Sequence, residues 1–216
     1  MDIGASGGKV FTGEIDNSML DIKEVHRFTN GFSNKQGTLY WDVDHLLHET
    51  LIGLEKVREL GYEQCTLGID TWAVDYVLVG DDNKRLKEMV SYRDRRTENT
   101  IEKLTKDISK EKVYHKTGIQ LKPFNTLYQL YEEDKEVLEE VEKILLLPDY
   151  LNFLLTENKV MESTNASSTQ FLNIHTRKLD EEVLNLANLQ ILLNQEMNWD
   201  TSKKIGFQHI IFPKLK

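Results

Sequence analysis

Asp2-Ile3-Gly4-Ala5-Ser6-Gly7-Gly8-Lys9, followed by Val10-Phe11-Thr12-Gly13-Glu14-Ile15, is the stretch on which the fold turns. Closely spaced glycines let a backbone approach a ligand and expose successive amide N–H groups, which suits phosphate oxygens. Spacing excludes two familiar phosphate loops. A Walker A loop has four residues between its glycines and a Ser or Thr after its Lys; here Gly4 and Gly8 enclose three, and Val10 follows Lys9. A dinucleotide fingerprint opens a helix, whereas residues 10–15 read as a strand. An acidic residue, a glycine-rich turn and a second strand describe a β-hairpin whose turn wraps phosphates. On these residues alone, a plain glycine-rich hairpin is the alternative.

Working outward, residues 9–15 and 19–27 are short β-rich runs separated by the turn-prone Asp16-Asn17-Ser18. Residues 31–37 have loop composition. From Asp42 the period changes: Val43, Leu46, Leu47, Leu51, Leu54 and Val57 form the stripe of an amphipathic helix, with Gly61 placed to end it in a left-handed conformation. Residues 65–69 read as a buried strand and residues 76–79 as its continuation or partner, before the turn Gly80-Asp81-Asp82-Asn83. Beyond Thr97 helical patterns dominate, over residues 99–110, 125–133, 135–141 and 180–194, with a compact apolar stretch at 145–155. The order predicts one α/β domain with a helical second half.

The 216 residues are 39% hydrophobic and 29% charged, the composition of a globular chain, and the net charge of −9 argues against DNA or RNA as the main partner. A few nucleotide phosphates, held by local amides and a metal ion, remain compatible with that charge. The single cysteine, Cys65, excludes an internal disulfide and points to a reducing, cytoplasmic compartment. No run reaches the roughly 18 apolar residues of a membrane span, and the start has no signal-peptide pattern; a soluble protein with no membrane partner is expected.

A second informative segment is Gly68-Ile69-Asp70-Thr71-Trp72-Ala73-Val74-Asp75. A strand ending in Asp, Thr, Trp and Asp puts polar and aromatic groups where ligand clefts of α/β sheets lie; the alternative is a strand-to-turn transition with Trp72 in the core. Further on come Tyr92-Arg93-Asp94-Arg95-Arg96-Thr97, Gly118-Ile119-Gln120, Pro123-Phe124-Asn125-Thr126-Leu127-Tyr128-Gln129-Leu130, Leu147-Pro148-Asp149-Tyr150 and Thr164-Asn165-Ala166-Ser167-Ser168-Thr169-Gln170. Earlier stand His26-Arg27-Phe28 and Trp41-Asp42-Val43-Asp44. In wording and order these segments resemble the rhamnulokinases, of the FGGY family of carbohydrate kinases, over all but about the last thirty residues.

The resemblance implies a ribonuclease-H-like, actin-like ATPase fold, a mixed sheet with flanking helices, and transfer of the γ-phosphoryl group of ATP to O1 of L-rhamnulose. It implies ATP and Mg²⁺ as cofactors, with Asp2 orienting the hydrated Mg²⁺ and Gly4, Ala5, Ser6, Gly7, Gly8 and Lys9 around the phosphates. Lys9 stands where the family usually carries Arg. Ala73 is implied to touch the sugar, at a place where the family usually has Gly; the added methyl opens a sister reading, a kinase for another ketose such as fuculose or xylulose. Trp72, Asp94, Arg96, Phe124 and Asn125 fall in matching segments and are expected to line or support the sugar side, although Asp94 and Arg96 could equally form a structural ion pair. The family's catalytic Asp is expected in a His-Asp-Thr segment past Phe212-Pro213-Lys214 and beyond Lys216, so residues 1–216 are expected to be an N-terminal domain truncated at both ends. No catalytic residue is then expected within the chain, which by itself would be inactive; a non-catalytic sugar- or nucleotide-binding role is the further alternative.

Other constellations carry less. His45 and His48 share a helix face beside Glu49, but the order is not that of zinc peptidases, and a solvated face suits them better. Residues 132–142 read as a wet, charged helical surface, and residues 179–193 as an amphipathic core helix.

Overall fold

The computed structural model describes residues 1–195, 197–198 and 203–206. The expected turn at Phe212-Pro213-Lys214, and the catalytic Asp expected beyond Lys216, lie outside the described residues. The chain opens with strand β1 (Asp2–Gly4), which turns at Ala5-Ser6 into β2 (Gly7–Asp16), and this reverses into β3 (Met19–Thr29). The second reversal uses Asn17 and Ser18, both at positive φ (47° and 67°). Two such residues match the right-handed twist of a tight hairpin. Residues 31–37, expected as a loop, instead form a hairpin of β4 (Phe32–Lys35) and β5 (Thr38–Trp41). Its polar composition misled because its strands lie partly exposed; Gln36 and Gly37 supply the positive φ of its turn.

Helix α1 (Val43–Glu59) follows, capped by the Asp42 carboxylate accepting the His45 amide, with Lys56 and Arg58 complementing its C-terminal dipole. Gly61 ends it at φ 94°, as expected. The helix lies close over the sheet: a Cβ on Gly53 would come within 2.5 Å of Val10 Cγ2. Val10, Leu51, Leu54, Val57, Leu67 and Leu155 close that interface.

The next stretch departs from expectation. Strand β6 (Gln64–Leu67) stops two residues short and buries only Leu67. Its backbone pairs antiparallel with Lys203–Gly206. Strand β7 (Asp70–Thr71) pairs parallel with β1, giving one sheet in the order β3-β2-β1-β7. Strand β8 (Tyr76–Val79), fully buried, neither continues nor pairs with β6; its partner is β9 (Lys143–Leu146), far along the chain. Apolar runs announce burial but not the partner, which is set by chain entropy and packing over long separations.

The helical half contains a 3-10 turn at Arg95–Thr97, α2 (Thr100–Leu104), α3 (Lys110–Thr117), α4 (Thr126–Tyr131) and α5 (Lys135–Glu139) before β9. The helix expected over 99–110 ends at Leu104, and α3 starts afresh at Lys110, where Ser109 caps it by accepting the Lys112 amide. Helices α6 (Leu147–Thr156), α7 (Ser163–Ala166) and α8 (Glu181–Leu186) follow. Two cores result. One, with Ile3, Phe28, Trp41, Leu46, Val77, Leu145 and Leu151, joins the sheet to α1 and α6. The other, with Tyr76, Leu127, Tyr128, Ile144, Phe171, Val183 and Leu189, organises the helices. The single helix expected over 179–193 is instead α8 and a 3-10 segment at Gln190–Asn194, which bury Val183, Leu184 and Leu192 but leave Ile191 and Leu193 exposed. The charged run 132–142 is not wholly wet: Glu133 is buried, accepting from Tyr76 Oη (2.7 Å) and Lys87 Nζ (2.5 Å).

Candidate active site

Because β1 and β7 run parallel in register, with Asp2 opposite Asp70 and Ile3 opposite Thr71, they end on the same side of the sheet. The glycine-rich turn leaves one strand end and Trp72-Ala73 the other, the usual place for a ligand in such a sheet. Asp2 and Asp70, the first residues of these two short strands, are both exposed. The Met1 ammonium lies near both carboxylates and feels their charge; as oxygen donors they are of the kind that suits a hard ion such as Mg²⁺.

The residues read as a phosphate loop form the hairpin that the spacing implied: Gly4 pairs with Gly7, Ile3 with Gly8 and Asp2 with Lys9. Its glycines have a reason that sequence reading did not supply. Gly4, Gly7 and Gly8 do not lie at positive φ; a Cβ on Gly7 would sit 2.7 Å from the Phe28 carbonyl oxygen, and one on Gly8 would lie 2.2 Å from the Phe28 ring. The turn itself is tied to β3, since Asn30 donates from Nδ2 to the Gly4 carbonyl (3.0 Å) and from its amide to the Ser6 carbonyl (3.1 Å). Ser6 is exposed at the tip, Ala5 is half-buried, and Lys9 lies half-buried between Asp2 and Arg27.

On the other side of the strand ends is an aromatic wall. Trp72 and Trp41 are in contact with centroids 4.3 Å apart; Trp41 meets Phe32 (5.8 Å) and Tyr92 (6.3 Å), and Tyr92 meets Phe124 (5.9 Å). The group that organises it is Asp75, 1% exposed. One carboxylate oxygen accepts from both indoles, Trp41 Nε1 at 2.6 Å and Trp72 Nε1 at 2.8 Å, while the other accepts from Gln129 Nε2 at 3.2 Å. Burial pushes its carboxyl up to about 6, and hydrogen bonds from Trp72, Trp41, Gln129 and the Tyr92 backbone hold it from rising further. Asp75, Trp41 and Gln129 were not singled out from the sequence as site residues. The available signal was the pairing of two Trp with one Asp inside the quoted segments, which spacing alone does not turn into a contact.

Between Ala73 and Asp75, Val74 adopts φ 71°, a costly conformation for a β-branched residue. Its carbonyl is held by Thr126 Oγ1 (2.7 Å) and Gln129 Nε2 (3.3 Å). Ala73 is thereby exposed at the strand end.

The remaining expected site residues divide. Phe124 is 40% exposed at the end of the aromatic wall. Arg96 donates from Nη2 to Gln129 Oε1 (3.1 Å) and approaches Glu133 (3.8 Å), while its Nε and Nη1 are buried without a protein partner among the described residues. Asp94 does not form the side-chain ion pair with Arg96 considered above. Its oxygens accept the Leu39 amide (3.0 Å) and the Arg96 amide (2.9 Å), so it caps a turn. Asn125 is buried and donates to the Gln120 carbonyl and Gln170 Oε1, behind the wall rather than on it. Glu49, weighed as a metal ligand with His45 and His48, instead lies 2.5 Å from His26 Nε2, and Lys56 Nζ meets His26 Nδ1 at 2.8 Å.

This fold, a mixed sheet with flanking helices whose first hairpin faces an aromatic cleft, is that of the actin-like sugar kinases, and the chain belongs to the FGGY family of carbohydrate kinases: the family's N-terminal domain matches residues 1–197. Among individual proteins it is similar to a rhamnulokinase of Bacillus subtilis, 54% identical over 189 residues, covering 88% of this chain and 39% of that protein. A rhamnulokinase of Lactiplantibacillus plantarum is 52% identical over the same shares. The chain thus spans about two fifths of the length of the curated relatives it matches. Among solved structures, a gluconate kinase from Lactobacillus acidophilus superposes with a TM-score of 0.76 at 18% identity, over 97% of this chain and 43% of that one, a likeness of fold.

Proposed function

We propose that this chain forms the phosphate-gripping and sugar-facing half of a kinase that transfers the γ-phosphoryl group of ATP to O1 of L-rhamnulose. The observation that carries the reading is the shared ending of β1 and β7, which puts the glycine hairpin and the Trp72-Ala73 wall at one mouth. The identity to proteins named rhamnulokinase supports the choice of sugar. Phosphoryl transfer of this kind is mostly positioning and charge neutralisation. Asp2 and Asp70 would hold Mg²⁺, which when bound neutralises phosphate charge; the amides around Ala5-Ser6 and the Lys9 ammonium would meet phosphate oxygens. The indoles would present apolar faces to the C–H surface of a sugar, and Arg96, whose Nε and Nη1 are buried, would support that wall through Gln129. Asp75 and Asp94 have their oxygens occupied by N–H donors, so we assign acceptance of the O1 proton to neither.

The exposed Ala73 methyl favours keeping the sister reading, a kinase of this family acting on another ketose. Tryptophan fluorescence and titration calorimetry with L-rhamnulose, L-fuculose and D-xylulose discriminate. Saturable quenching by L-rhamnulose, abolished in Trp72→Phe, is expected. A response to L-fuculose or D-xylulose alone transfers the assignment to the sister reading, and no response to any of the three removes the sugar site from this chain.

A further inference from the structure

Far from the cleft, the β2–β3 hairpin projects into solvent: every residue from 13 to 24 is exposed, including Ile15 (80%), Leu20 (60%) and Ile22 (60%). Its turn at Asn17-Ser18 lies at the opposite end of β2 from the glycine turn, so a ten-residue strand, on the order of 30 Å, separates this patch from the nucleotide side. β3 is the edge of its sheet, and an exposed edge with apolar residues is a template for strand addition. The patch includes Leu20 and Ile22, which share one face of β3 with Ile15 and Phe11 of β2; Asp21 and Lys23 point to the other face.

We propose that the outer edge of β3 is a self-pairing surface, on which two copies of this chain join antiparallel about a two-fold axis at Ile22. The hairpin and the charges select this register. In a two-residue hairpin the flanking pair, Asp16 and Met19, is the hydrogen-bonded one, so bonding alternates and Leu20, Ile22 and Glu24 present their N–H and C=O groups outward. An axis at Ile22 matches outward groups with outward groups, Ile22 with its copy and Leu20 with Glu24. It also sets Asp21 of each copy opposite Lys23 of the other, an attractive cross-strand pair made twice. An axis at Asp21 or at Lys23 would instead oppose like charges and inward-turned backbone. The interface is small, which fits a weak, concentration-dependent dimer.

The test is a charge swap on the 216-residue chain, read by sedimentation from about 1 to about 200 µM, the range such an area requires. Asp21→Lys and Lys23→Asp each put like charges opposite one another and should weaken dimerisation at least about tenfold; the double swap restores opposite pairs and should recover it. Both positions are exposed, and unchanged circular dichroism confirms folding. In a Cys65→Ser background, Ile22→Cys should form an intermolecular disulfide faster than Asp21→Cys, because paired Cα atoms lie about 5.5 Å apart. A chain monomeric at every concentration overturns the proposal, as does a dimer whose strength the single swaps leave unchanged or the double swap fails to restore.

Discussion

Asp149, the third residue of α6, offers the sharpest quantitative test of the fold. It is 2% exposed, its Oδ1 accepts only the Glu162 amide at 3.2 Å, and its Oδ2 is buried without a partner among the described residues. Burial pushes its carboxyl from 3.8 up to about 8, with the nearby Glu162 charge adding to the rise. The folded chain therefore holds Asp149 protonated at neutral pH, whereas the unfolded chain ionises it. A folded value above the unfolded one means that the stability from this site is complete below about pH 4 and is lost as pH rises to about 8. Each pH unit between 3.8 and 7 costs about 1.4 kcal/mol, so the loss approaches about 4 kcal/mol by pH 7. Asp149→Asn keeps an acceptor for the Glu162 amide, mimics the neutral acid in shape and never ionises. Urea unfolding of both chains at intervals from pH 4 to pH 8 should show near-equal stability at the acid end. A gap in favour of the asparagine variant should then open by about 2–4 kcal/mol towards neutral pH. A gap that does not change with pH would show that Asp149 titrates normally and refute the reasoning.

Two further outcomes follow from the site. Gly8→Ala should cost about 1–3 kcal/mol in urea unfolding, because its methyl would occupy the space of the Phe28 ring; Phe28→Leu in the same chain should recover part of the loss, and no loss in the single variant would mean that the ring moves freely. Asp75→Asn should abolish a transition near pH 6 in near-ultraviolet circular dichroism of the tryptophans, since the carboxylate bonded to both indoles titrates at about 6; a variant retaining that transition places its origin elsewhere.

Much of the fold is legible in the sequence where local signals act. The hairpin around Ala5-Ser6, the turn at Asn17-Ser18 and the capped α1 ending at Gly61 depend on neighbours within a few residues. What was misread depends on distance along the chain. The pairing of β8 with β9, the burial of Glu133 and the bond from Trp41 to Asp75 unite residues 34 or more positions apart. The candidate site shows the same division. Its glycine hairpin is a local motif, while its aromatic wall is assembled by Asp75 and Gln129 from segments whose proximity no periodicity announces. Asp94 and Asn125 stand in the right segments, but their hydrogen-bonding groups serve the backbone and Gln170, a use that residue type cannot distinguish from ligand contact.

The two hydrogen bonds from Asn30 to the glycine turn have a kinetic meaning. Glycine-rich turns are ordinarily loose, and a ligand that must order one loses affinity to entropy at each encounter. Here that ordering is completed once, during folding, by the backbone and side-chain amides of the residue that follows β3. On the reading proposed above, an incoming triphosphate would meet a turn already in shape, so no ordering step would slow its capture.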